Sequence, residues 1–288
     1  MRQLSIEQRR ERIDRLSVMS RTPRGTVVLP FEAQGLRGEW VRLPQSREDR
    51  VVLYLHGGAF CMGSSRSHRN LVAHICVQGR ARALSLDYAL APEHPFPAAL
   101  DDTLAAYRFL LAGGLAPYRI AFAGDSAGGN IVLAALLMLR DSAEPLPAAA
   151  ICLSPPTDFT GASESMVSRA HLDPMVKLES VIPLCRAYAG NLPADDPRLS
   201  PLLANLAGLP PLLIQVGSHE ILHDDSARFA RKAREAGVDV TLEVGDQLWH
   251  VWQAAAPFVP ESEKAIKSIG RFLRERIPDE SPAQPGDH

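Results

Sequence analysis

Tyr118-Arg-Ile-Ala-Phe-Ala-Gly124-Asp-Ser126-Ala-Gly128-Gly-Asn-Ile-Val-Leu-Ala-Ala-Leu-Leu-Met-Leu-Arg140 decides the fold of this chain. Its first part is a short apolar run of the kind a buried strand shows, and its last part lacks proline and is rich in helix formers. Between them stands a G-x-S-x-G pattern. Strand, Gly-flanked turn and helix together make the context of a nucleophile elbow, with Ser126 at its apex. A serine on so sharp a turn needs neighbours without Cβ, so that the backbone can bend and a substrate can approach. The helix that starts there aims its free N–H groups and positive dipole end at any charge forming on the site.

Working outward, strand-like runs recur at 51–55, 81–86, 119–123, 148–153, 211–216 and 238–244. Helical patterns fall at about 67–78, 98–111, 127–140, 224–236 and 261–276. This alternation predicts an α/β fold with a mostly parallel central sheet flanked by helices. Segments near 26–31 and 38–43 are expected to add antiparallel edge strands. Two stretches break the rhythm. Residues 5–19 read as a charged amphipathic helix, and 155–200 form a long interval between strands, with one helix expected over 175–188. So long an insertion over the C-terminal edge of a parallel sheet reads as a lid. The expected organisation is therefore a cap region at 1–25, a catalytic domain at 26–154 and 201–277, a cap insertion at 155–200, and a disordered polar tail at 278–288.

The 288 residues carry 46% hydrophobic content and a net charge of −2, which gives no reason to expect nucleic acid or an anionic membrane as partner. The N-terminus has no apolar h-region, no apolar run reaches transmembrane length, and Cys61, Cys76, Cys152 and Cys185 are scattered. These features predict a cytoplasmic protein with reduced thiols.

A serine nucleophile needs a base, an orienting carboxylate and donors for an oxyanion. In an elbow-bearing sheet these follow in the order Ser, acid, His. His250, in the loop after the last strand, is the candidate base. The acid should follow the strand at 211–216, where Glu220 is the first choice and Asp224 and Asp225 are the alternatives. The latter two could instead supply negative charge to the first turn of the next helix. His56-Gly-Gly-Ala-Phe60 follows the strand at 51–55 and supplies a candidate oxyanion hole from Gly57, Gly58 and Ala59, together with Ala127. In that turn the amides of Gly58 and Ala59 donate, and Gly57 shapes the backbone. Phe60, Asp125, Met175, Leu178, Val181 and Tyr188 are candidates for the substrate pocket; the last four serve equally well as packing within the lid.

With these residues in place the chain resembles the hormone-sensitive-lipase-like bacterial carboxylesterases of the α/β-hydrolase superfamily. The likeness runs from about Val51 to Trp252 and rests on ordered motifs: His56-Gly-Gly-Ala-Phe60, Asp87-Tyr-Ala-Leu-Ala-Pro-Glu-His-Pro-Phe-Pro97, Gly124-Asp-Ser-Ala-Gly-Gly-Asn130, Glu220-Ile-Leu-His-Asp224 and Trp249-His-Val251. The resemblance implies a helical cap, hydrolysis of short-chain acyl esters without a cofactor, and pairing of two copies through the edge strand near 238–244. Three positions depart from the family pattern. Ala59 replaces a glycine, Ala89 replaces the usual arginine, and Glu220 stands where an aspartate is usual.

Two other readings compete with this one. His219-Glu-Ile-Leu-His223 matches the H-E-x-x-H zinc-peptidase signature, which requires both histidines on one helical face. Here the motif follows directly on a strand, and Ser226 stands where the extended pattern requires glycine. The other rival is a hydrolase-fold binding protein without catalysis; the presence of His250 argues for an enzyme.

Overall fold

The computed structural model describes residues 5–17 and 22–279. The first helix, α1 (Ile6–Ser17), precedes an antiparallel pair, β1 (Val27–Ala33) and β2 (Leu36–Arg42). Then come β3 (Arg47–Leu55), α2 (Ser65–Gly79), β4 (Ala81–Leu86), α3 (Ala98–Ala112), β5 (Ile120–Asp125), α4 (Ala127–Asp141) and β6 (Ala149–Leu153). After β6 lies the long insertion, holding the short α5 (Ser165–Ser168) and α6 (Leu178–Ala189). The chain finishes with β7 (Leu212–Gly217), α7 (His223–Glu235), β8 (Val240–Gly245) and α8 (Pro260–Arg276).

The eight strands form one sheet in the order β1-β2-β4-β3-β5-β6-β7-β8. Pairings β1–β2 and β2–β4 are antiparallel, and every pairing from β4 through β8 is parallel. This is the α/β-hydrolase architecture that the motifs predicted. Alternate residues of β3 serve two cores. Val51, Leu53 and Leu55 pack with α3, α4 and α7, whereas Val52 and Tyr54 pack with α2 and α8. Every residue of β5 is buried, as a strand covered on both faces must be. The chain thus leaves β3 and β5 toward opposite faces, which opens a crevice at their C-terminal ends.

Element boundaries differ from the expectations mainly in the insertion. Helix α6 begins at Leu178 rather than 175, because the buried Asp173 carboxylate accepts the amides of Met175 (2.8 Å) and Val176 (2.9 Å) and holds that stretch in a turn. The tail does not begin at 278. The carbonyl of Pro278 accepts a bond from Arg119 (2.7 Å), and Asp279 pairs with Arg50 (2.7 Å). Residues 280–288, where the rest of the expected tail falls, lie outside the described residues. Arg50 is itself fully buried at the start of the sheet's core, with its guanidinium donating to the carbonyls of Ile277 and Gly79. No helix among the described residues is long and apolar enough to cross a membrane.

Candidate active site

Ser126 sits between β5 and α4 with φ 51° and ψ −121°. A side-chain-bearing residue rarely adopts this backbone, and it costs about 1–3 kcal/mol unless the surroundings over-determine it. They do. The Ser126 amide donates to Leu153 O at 2.7 Å, which ties the turn to β6, and Asn130 N donates back to Ser126 O at 3.2 Å. The buried Asn130 side chain donates to the carbonyls of Pro156 and Leu199, both at 2.9 Å, and so ties the first turn of α4 to the insertion. A Cβ at Gly128 would lie 1.9 Å from Leu55 O, so only glycine lets α4 start this close to β3. Ala127 is the first residue of α4, and its amide has no acceptor within the helix.

The loop after β3 curls beside this turn. Gly58, Ala59 and Phe60 have φ of 122°, 51° and 62°, and the amides of Cys61 and Met62 both donate to Gly58 O, at 3.2 and 2.9 Å. Asp125, the residue before the serine, braces the loop from below. Its buried carboxylate accepts from the Tyr54 hydroxyl (2.6 Å) and the Gly57 amide (3.0 Å), and it pairs with His68 Nε2 at 3.3 Å. Burial opposes the charges on Asp125 and His68. Their mutual attraction and hydrogen bonds outweigh it, so the Asp125 carboxyl is held below its usual range and His68 above. His56 stacks between His68 (5.5 Å) and Tyr88 (4.3 Å), and burial first, then the nearby His68 charge, push its pKa down to about 3. It is a neutral brace within the loop.

The Gly57 amide is thus engaged by Asp125 within the loop that Gly57 shapes. The carboxylate of Asp125, a pocket candidate from the sequence, is spent on Tyr54, Gly57 and His68.

Glu220 and His250 meet after β7 and β8. Glu220 Oε2 lies 2.8 Å from His250 Nδ1, and Oε1 accepts from the Ser154 hydroxyl (2.9 Å) and from the Gly217 amide. The carboxylate is wholly buried, yet both oxygens are used. A carboxylate at Nδ1 fixes the proton there and leaves Nε2 as the basic nitrogen. Burial disfavours a charged His250. The Glu220 hydrogen bond and charge, with the more distant Asp173 and Asp125, more than compensate and raise its pKa above the ordinary value. Among the described residues the Ser126 hydroxyl makes no hydrogen bond, a looseness common before substrate arrives.

Asp224 and Asp225, the alternative acids, face the insertion. Asp225 accepts the amides of Thr157 (2.6 Å) and Asp158 (3.0 Å) and the Ser163 hydroxyl (2.5 Å), and Asp224 accepts the Ser165 amide (2.9 Å). Asp173, also in the insertion, accepts the amide of Ile221 (3.0 Å), next to Glu220. The insertion therefore buttresses the acid loop. Ser154 and Asp173 have no signature in the sequence. Only the position of Ser154, directly after β6 and so between the elbow strand and the acid strand, could have flagged it.

His219 and Glu220 lie in the turn before α7 and His223 is its first residue, so the H-E-x-x-H stretch does not form the single helical face a zinc site of that type uses. The pocket candidates separate. Phe60 and Tyr188 are both buried and stack on each other with centroids 3.9 Å apart, so they form the seam between loop and insertion. Met175 is 63% exposed, and Leu178 and Val181 are half-buried along α6. Cys61 is a buried thiol, pushed up to about 11 chiefly by burial, and is no nucleophile.

A family model described as alpha/beta hydrolase fold matches residues 52–254. An acetyl-hydrolase of Streptomyces hygroscopicus is 43% identical over 236 residues, which is 82% of this chain and 79% of that protein. A crystal structure of an esterase from the bacterial hormone-sensitive lipase family superposes with a TM-score of 0.93 at 45% identity, covering 96% of this chain and 93% of that one. The esterase EstE5, in a crystal soaked with p-nitrophenyl butyrate, superposes with a TM-score of 0.91 at 42% identity, covering 96% and 92%.

Proposed function

Because the chain belongs to the hormone-sensitive-lipase-like esterases of the α/β-hydrolase-fold family and is a carboxylic ester hydrolase, we propose that it cleaves short-chain acyl esters with Ser126 as nucleophile, His250 as base and Glu220 as orienting acid. The observation that carries this reading is the 2.8 Å contact of Glu220 with His250 Nδ1, across the ends of β7 and β8 from the strained Ser126 turn.

The chemistry follows from the geometry. His250 Nε2 removes the hydroxyl proton as Ser126 Oγ attacks the ester carbonyl carbon. The oxygen of the resulting tetrahedral adduct carries the negative charge, and the amides of Gly58, Ala59 and Ala127 stabilise it; one such donor is worth roughly 3–4 kcal/mol. His250 then returns its proton to the departing alkoxide, leaving an acyl-Ser126 ester. Water attacks that ester with His250 again as base, the carboxylic acid leaves, and Ser126 regains its proton. Glu220 keeps its charge throughout, holding the imidazole in the reactive tautomer and stabilising the imidazolium. The acetyl-hydrolase relative and the butyrate ester soaked into EstE5 support small acyl groups. The test is turnover of p-nitrophenyl acetate, butyrate and palmitate by wild type and Ser126→Ala, with and without EDTA. Activity on the two short esters should fall at least ~10⁴-fold in Ser126→Ala and be indifferent to EDTA. Turnover retained in that variant, or highest on palmitate, would overturn the reading.

A further inference from the structure

Helix α1 reaches the oxyanion loop through Arg10. Arg10 Nε donates to Cys61 O at 2.7 Å, Nη2 donates to Ala91 O at 2.9 Å, and Nη1 and Nη2 grip the Glu93 carboxylate, each at 2.8 Å. Cys61 closes the turn whose amides converge on Gly58 O, and the Ala91 amide donates to Phe60 O at 3.0 Å. Arg10 therefore bridges two loops, 56–64 and 87–97, at the point where they hold each other. The second loop, Asp87-Tyr-Ala-Leu-Ala-Pro-Glu-His-Pro-Phe-Pro97, has no lysine or arginine of its own to do this. A second tie stands one turn further along α1. The Ser64 hydroxyl, at the N-cap of α2 and the far end of the oxyanion loop, donates to Asp14 at 2.7 Å.

The planar guanidinium suits this place. Two carbonyls and a carboxylate at fixed angles need a rigid fork of donors, whereas an ammonium on a flexible stem satisfies one or two of them. Residues 58–60 all have positive φ, so the loop's shape is held by its contacts and not by backbone preference. Removing the contact at Cys61 O frees the end of that turn.

We propose that Arg10 is a positioning residue for the oxyanion donors: from the N-terminal helix it sets the turn that aims the Gly58 and Ala59 amides. The N-terminal segment then governs the chemical step as well as covering the site. This inference rests on the serine-esterase reading above.

The test measures kcat, KM and thermal stability with p-nitrophenyl butyrate for Arg10→Ala, Arg10→Lys and Glu93→Gln, with active sites counted by the end-point of an organophosphonate titration. Arg10→Ala should lose about ten- to hundredfold in kcat per titrated site, the scale of a small misplacement of catalytic groups. Its KM should stay within about twofold, since ground-state binding is untouched. Arg10→Lys should recover only part of the loss. Glu93→Gln should show a smaller loss of the same kind, and the double variant Arg10→Ala/Glu93→Gln should be no worse than Arg10→Ala alone. An unchanged kcat per titrated site in Arg10→Ala, or a loss borne by KM alone, would overturn the proposal. Should Arg10→Ala fail to fold, an unchanged kcat in Glu93→Gln does the same. Wild-type turnover that persists in Ser126→Ala would instead sink the underlying reading.

Discussion

At the scale of single residues, the choice of acid turns on where each carboxylate is spent. Asp225 gives its oxygens to amides and a hydroxyl of the insertion, Asp224 is shared between the Ser165 amide and its neighbour His223, and only Glu220 reaches His250. Glu220→Gln should therefore cost several orders of magnitude in kcat, on the scale of about 10⁴-fold known for a triad acid turned amide. Asp224→Asn should cost less than about tenfold; the reverse ranking in steady-state assays would move the acid assignment. The raised pKa of His250 has a signed consequence. The base works in its neutral form, so kcat/KM should fall as pH drops through a midpoint above ~6.5, the ordinary histidine value. Glu220→Gln should move the residual activity's midpoint downward, because burial then acts on His250 with less to oppose it. A pH–rate profile of both proteins checks this. The places of Ser126, between β5 and α4, and of His250, after β8, were legible from motif and chain order. The partner of the Gly57 amide was not, since Asp125 lies 68 positions away. Glu220 stood out only as the first of three carboxylates, because nothing local says that its neighbours are already engaged.

At the scale of elements, the insertion and α7 are joined through buried polar groups. Asp225 is fully buried, and its carboxyl is pushed up to about 6, chiefly by burial. A folded-state pKa above the unfolded value means that its contribution is fully present below the unfolded pKa and is lost as pH rises through 6. The stability advantage of wild type over Asp225→Asn should accordingly be larger at about pH 4 than at about pH 7.5. Asp225→Ala, which strands two buried amides and a hydroxyl, should cost at least ~2 kcal/mol at either pH. Urea unfolding at the two pH values measures both. Every strand and every long helix was visible in the hydrophobic rhythm to within a few residues. The insertion was not, since its turns are set by contacts across the chain: Asp173 and Ser165 bond Ile221 in the acid loop, and Asp225 of α7 accepts the amide of Thr157. The expected helix at 175–188 lost its first turn to the same cause: Asp173 takes amides that a helix would have used otherwise.

At the scale of the whole molecule, the sheet leaves two strands at its rim. β1 contains Pro30, which has no N–H to offer a neighbour, and so is a blunted edge. β8 has no proline, and its Val244 is 47% exposed. Two copies are therefore expected to pair along β8, giving a dimer by light scattering that Val244→Lys converts to monomer. A monomeric wild type at micromolar concentration would contradict this. One further property belongs to the chain as a whole. Arg50 opens the run of fully buried residues in β3, yet its principal acceptor, Ile277 O, lies 227 positions downstream. At ordinary synthesis rates that is a delay of roughly 10–45 s. During that time the emerging polypeptide has a cation it cannot yet bury, so this part of the sheet stays unfinished until α8 and the residue after it have been made. The order of assembly is thereby inverted. Helix α8, made long after β3, leads to the carbonyl that allows the first parallel strand to close, and a chain cut short before it would expose its defect within the sheet.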